Sequence, residues 1–151
     1  MEEKNLFLNR ELLATKISDL EKSLSFLHNI AQTTSDQFLA NPILVSGTKY
    51  QLIIAIEAAQ SICNHLAARV AREAPQSYAE CFRILGENGI IAKKLAGQLA
   101  SMAKFRNLLV HGYGNIDDSI VHSILNNDIL DLTKYIEEIK LFLRQTGGAG
   151  S

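Results

Sequence analysis

QLIIAIEAAQSICNHLAARVAR, residues 51–72, decides the fold. It holds no glycine or proline, and its apolar residues recur at helical spacing. Ile53, Ile56, Ala59, Cys63, Leu66 and Val70 form one stripe, and Ile54, Ala58 and Ile62 form a neighbouring one. A surface helix carries a single apolar stripe, whereas a helix apolar around more than half its circumference is covered on several sides. The spacing therefore predicts a central helix. It should begin near Pro42, with Asn41 as its cap, and run to about Glu73.

The flanking segments read the same way. Leu13, Ile17, Leu20, Leu24, Leu27 and Ala31 step by four and three, opposite Glu11, Thr15, Ser18 and Lys22. They predict a first helix from about Glu3 to about Gln32. Thr33-Thr34-Ser35-Asp36 is a polar break with good N-cap residues. Beyond the central helix, Ala74-Pro75-Gln76-Ser77 interrupts the chain. A shorter helix is expected from about Ser77 to Leu85, ended by Gly86 and Gly89. A fourth should run from about Ile90 to about Val110 and stop at Gly112-Tyr113-Gly114-Asn115. The last covers about Asp117 to Arg144, with a stripe of Ile129, Leu132, Ile136, Ile139 and Leu143 and a candidate break at Asn126-Asn127. No segment sustains the period-two alternation of a strand. The reading is an all-α, up-and-down bundle of about five helices, one domain over residues 1–146. Residues 147–151, Gly-Gly-Ala-Gly-Ser, read as a flexible tail or an expression scar.

Lys plus Arg number 15 against 16 Asp plus Glu, so the net charge of −1 argues against wrapping nucleic acid over a long stretch. Any such contact must be local. Cys63 and Cys81 cannot build a disulfide framework, and their spacing is no zinc motif, which points to a reducing, cytoplasmic setting. The N-terminus is charged from Glu2 onward, unlike a signal peptide, and the apolar runs are too short to span a membrane.

Chemistry concentrates in Phe105-Arg106-Asn107-Leu108-Leu109-Val110-His111-Gly112-Tyr113. At about 100° per residue, Asn107 and His111 lie one turn apart on one line, where Asn107 can hydrogen-bond His111 or a phosphate. Leu108, Leu109 and Val110 point in three directions, while a bundle buries only one. The economical second surface is another copy of the chain, packed two-fold, so that two Arg106 and two His111 share a cleft. Histidine exchanges protons near neutral pH. Arginine offers a planar fork to phosphate and to a developing phosphorane. RNA brings its own nucleophile, the 2′-OH. The cluster has no Asp or Glu to hold Mg²⁺, and the expectation is cleavage without metal or cofactor.

Arg106-Asn107, three residues, then His111-Gly112-Tyr113 resembles the R-x4-H-x-Y pattern of the HepT toxins, a branch of the HEPN superfamily. Ala55-Ile56-Glu57-Ala58 is similar to the family's A-x-E-A stretch, and Ser77-Tyr78-Ala79-Glu80 to its short third helix. The resemblance covers roughly Glu3 to Leu143. It implies a HEPN bundle, a two-fold homodimer and a ribonuclease toxin using Arg106 and His111, with Asn107 assisting. It also implies an antitoxin partner, a minimal nucleotidyltransferase of the MntA type that transfers AMP onto Tyr113. A modified Tyr113 would place a phosphodiester and a base beside Arg106 and His111 and fill the cleft.

Two further readings complete the sequence. Glu57 stands on an apolar helix, where an unpaired carboxylate is costly to bury. Its partner is Arg106, which it would then support and orient, or a cation elsewhere. Cys63 and His65 read as a small buried thiol and a satisfied core histidine rather than metal ligands. A different functional class also fits, a non-catalytic helical subunit that binds a nucleotidyltransferase or a nucleotide through the same Arg and His.

Overall fold

In the computed structural model the described residues are 8–112 and 116–147. They form seven α-helices and no strand. These are α1 (Arg10–Ile30), α2 (Ser35–Leu39), α3 (Pro42–Leu66), α4 (Tyr78–Glu87), α5 (Lys93–His111), α6 (Asp118–Asn127) and α7 (Ile129–Gly147). None is long and apolar enough to cross a membrane.

The expected central helix is α3. Leu52, Ala55, Ile56, Ala59, Ile62, Cys63 and Leu66 are all buried along it. Pro42 opens it, and the Asn41 side chain accepts from the Leu44 amide at 3.1 Å. Its far end differs from expectation. The α-helix stops at Leu66 and widens into a π-helical turn, Ala67–Ala71, before Arg72 adopts a left-handed conformation. Pro75 excludes helical geometry at Ala74, and the chain leaves the helix ahead of it.

Seven helices replace the expected five for local reasons. The polar break after α1 caps a helix of its own, in which Thr34 and Gln37 form a reciprocal capping box and Phe38 is fully buried. The final stretch divides at Asp128. There Asn126 and Asn127 turn their side chains back to the His122 carbonyl and Ser123 hydroxyl, competing with continuation of the helix. α1 starts at Arg10, where the Asn9 side chain caps it through the Leu12 amide, and the start expected near Glu3 lies outside the described residues. The fourth expected helix starts at Lys93 rather than Ile90, leaving Ile90 and Ile91 as buried linker residues. Its first turn has no cap within the segment. Glu138 on α7 supplies one, accepting from the Ala92 amide at 2.7 Å.

α1 packs along α3, and α4 along α5. Tyr135 on α7 closes the core, fully buried, with its hydroxyl donating to the Ala59 carbonyl at 2.9 Å and its ring edge-on to Phe82. α1 is pinned at its start, where the Asn9 amide donates to His65 Nε2 at 3.0 Å. Only neutral imidazole can accept there. Burial, and then the nearby positive charge of Arg69, hold His65 below the usual histidine range. The unfolded chain therefore binds a proton that the folded chain resists. This stabilisation is present above about pH 6.5 and is lost as pH falls through the folded-state value. Urea denaturation at pH 7.5 and 5.5 should show a loss of stability at the lower pH that is smaller in His65→Gln. An equal loss in both proteins would contradict it.

Candidate functional site at the end of the fifth helix

α5 carries the motif on its last two turns. Leu109 is buried against the core, Val110 is half-buried, and Leu108 is 57% exposed. The three leucine and valine side chains thus divide between the bundle and the outside. The helix ends on glycine for a steric reason. The Gly112 amide donates to the Leu108 carbonyl at 2.7 Å, and a Cβ at Gly112 would lie 2.6 Å from that oxygen. The close approach leaves no room for a side chain at Gly112, and His111, the last residue of the helix, has its side chain exposed.

Arg106 lies one turn deeper and is held on three sides. Its Nη2 forms an ion pair with Glu57 Oε2 on α3. Its Nη1 donates to Asn107 Oδ1 at 3.5 Å. The Tyr78 ring, at the first turn of α4, lies 5.2 Å from the guanidinium carbon, a cation–π contact. The arginine side chain is only 16% exposed, whereas that of Glu57 is 43% exposed. The guanidinium Nε–H is buried without a hydrogen-bond partner. Three helices therefore fix one planar cation, and two of its five donors are engaged by protein.

Of the candidate residues, Arg106, Asn107 and Glu57 come together, and Arg106 is the cation that Glu57 required. Asn107 turns its oxygen to Arg106 rather than to His111. Its adjacency on α5 outweighs the one-turn spacing to His111. Tyr113 lies outside the described residues. Tyr78 was not singled out by the sequence reading. It starts a helix whose buried face includes Cys81 and Phe82, one turn on, and that placement marks it as a core-edge ring. Its contact with Arg106 spans 28 positions and has no local signature.

Cys63 and Cys81 are both buried and free, and burial pushes the Cys63 thiol far above its ordinary range, with Cys81 adding to the effect. The Cys81 thiol donates to Asn64 Oδ1 at 3.3 Å. Among the described residues no three His, Cys, Asp or Glu side chains converge to hold a metal ion.

Residues 19–139 match the family described as ribonuclease HepT-like. A protein of Shewanella oneidensis named mRNA nuclease HepT is 25% identical over 130 residues, covering 86% of this chain and 97% of the relative. A protein of Aphanizomenon flos-aquae named tRNA nuclease HepT is 24% identical over 132 residues, covering 87% and 90%. Among solved structures, the fold is similar to that of a tri-AMPylated Shewanella oneidensis HEPN toxin in complex with MNT antitoxin. The TM-score is 0.79 at 25% identity, over 86% of this chain and 97% of that one.

Proposed function

The chain belongs to the ribonuclease HepT-like family, and from that premise we propose that it is the ribonuclease toxin of a toxin–antitoxin pair. It cleaves RNA without metal at a composite site of a two-fold homodimer. The observation that carries this reading is the clamp on Arg106 beside an exposed Asn107 and His111 on one helix end. The exposed Leu108 between them supplies apolar surface for the second copy.

In the proposed reaction one His111 accepts the 2′-OH proton as O2′ attacks the adjacent phosphorus. The O2′–P bond forms and the P–O5′ bond breaks. Arg106 holds the phosphate and stabilises the negative charge of the phosphorane. The second His111, protonated, returns a proton to the leaving O5′. The products are a 2′,3′-cyclic phosphate and a 5′-hydroxyl. Glu57 and Tyr78 act through Arg106 as positioning residues, and Asn107 keeps the guanidinium in plane with the cleft.

The proposed partner is a nucleotidyltransferase antitoxin of the MntA type, which silences the toxin by transferring AMP to Tyr113. The modified neutral phenol gains a phosphodiester, an anion placed to compete for Arg106. Support comes from the family and from the AMPylated relative in its antitoxin complex. Incubation with such an enzyme and ATP should add AMP masses to the wild-type chain and none to Tyr113→Phe. A Tyr113→Phe chain that still gains AMP would refute the assignment.

A further inference from the structure

An open groove of about 600 Å³ runs along the seam between α1 and α3. The two helices are antiparallel, because the start of α1 meets the end of α3 at His65 and the chain returns through the short α2. That order places Phe26 at the Tyr50 end of the groove and Lys16 at the Ser61 end. Tyr50, Ile54, Glu57 and Ser61 fall on one stripe of α3 and form one wall. Lys16, Lys22 and Phe26 belong to the facing wall. Tyr50 is 60% exposed and Phe26 49% exposed, large rings standing in solvent at the same end.

The charges are arranged unevenly. Among the described residues neither Lys16 nor Lys22 makes an ion pair, although Asp19 lies between them on α1. Glu57, also on the groove, is neutralised by Arg106. The groove therefore keeps a positive excess of one charge, two lysines against Asp19, and its wall includes Glu57, the ion-pair partner of Arg106. Seven residues of helix separate Tyr50 from Glu57, about 10 Å, within reach of nucleotides flanking a phosphate held at Arg106.

We propose that this groove is a subsite for single-stranded RNA next to the cleaved bond, an inference that rests on the ribonuclease reading. A base stacks on Tyr50 and Phe26, and backbone phosphates lie against Lys16 and Lys22. Stacking on aromatic rings combined with a basic track is how proteins hold single strands without reading their sequence. Two lysines make a short, local track, the kind of contact that a chain of net charge −1 permits. A partner helix fits less well. The stripe it would meet is interrupted by Glu57 and Ser61 and faced by three charged residues of α1.

The test measures binding of a fluorescently labelled single-stranded RNA in the His111→Ala background, beside cleavage of the same RNA by the wild type. Tyr50→Ala should weaken binding about five- to a hundredfold. Tyr50→Phe should recover most of that loss. Lys16→Gln with Lys22→Gln should flatten the salt dependence by up to about two phosphate contacts. The oligomeric state, followed by sedimentation, should stay the same in all of them. Unchanged affinity in both Tyr50→Ala and Phe26→Ala, with a wild type that cleaves RNA, overturns the subsite and leaves the ribonuclease standing. Loss of self-association in these variants also overturns it, giving the groove to a protein interface. A wild type that cleaves no RNA removes the ribonuclease reading, and the subsite with it.

Discussion

His111→Ala is expected to slow RNA cleavage by about 10²- to 10⁴-fold, the range for loss of a positioned general acid or base. In the proposed dimer the effect is magnified. A composite site that draws its proton acceptor from one copy and its donor from the other loses both groups in a uniform variant. Folding should be little affected, because His111 is exposed and ends its helix. Unchanged melting with lost cleavage separates chemistry from stability. Single-turnover cleavage of a defined RNA, beside a thermal melt, checks both. Cleavage by His111→Ala at the parent rate would end the assignment.

Arg106→Lys should cost about 10²-fold or more in cleavage, comparable to removing one transition-state donor. The substitution keeps the positive charge, so simple electrostatics predicts little change. Geometry predicts otherwise. A lysine ammonium has no planar fork, and cannot pair with Glu57, bond Asn107 and sit over the Tyr78 ring at once. The loss should fall mainly on kcat, since positioning matters most where charge develops on the phosphorane. Glu57→Ala perturbs the same cation from the other side. It leaves a mostly buried guanidinium without its counter-charge and should cost about 1–2 kcal/mol of stability. That is below the figure for a fully buried pair because Glu57 is partly solvated. If Arg106→Lys cleaves as fast as the parent, Arg106 does no more than carry charge.

The central architecture was legible because it is periodic. Leu13, Ile17, Leu20, Leu24 and Leu27 were read as one face and are all buried, as are Ile56, Ala59, Cys63 and Leu66 on the central helix. Periodicity says less about short elements. α2 has only five residues, too few to show a stripe, and exists because a capping box and one buried phenylalanine hold it. The cap on α5 was invisible for another reason, since its carboxylate comes from Glu138, 46 positions away.

The site divides along the same line. Glu57 was conspicuous because a carboxylate on an apolar helix must find a cation, and the motif contained one. Tyr78 was not, because an aromatic residue on the core side of an amphipathic helix looks like any other. Its contact with Arg106 depends on how α4 lies against α5. Asn107 shows that helical spacing gives candidates rather than partners, since its oxygen chose the neighbour in sequence over the residue one turn away.

The most direct test of the proposed ribonuclease is cleavage of RNA by the purified chain in the presence of a metal chelator. Intact mass should first establish that Tyr113 is unmodified, and the product ends should be determined. The fragments should end in 2′,3′-cyclic phosphate and 5′-hydroxyl, and should be absent when His111→Ala replaces the wild type. No cleavage of any RNA by the unmodified protein, or identical cleavage by His111→Ala, would contradict it.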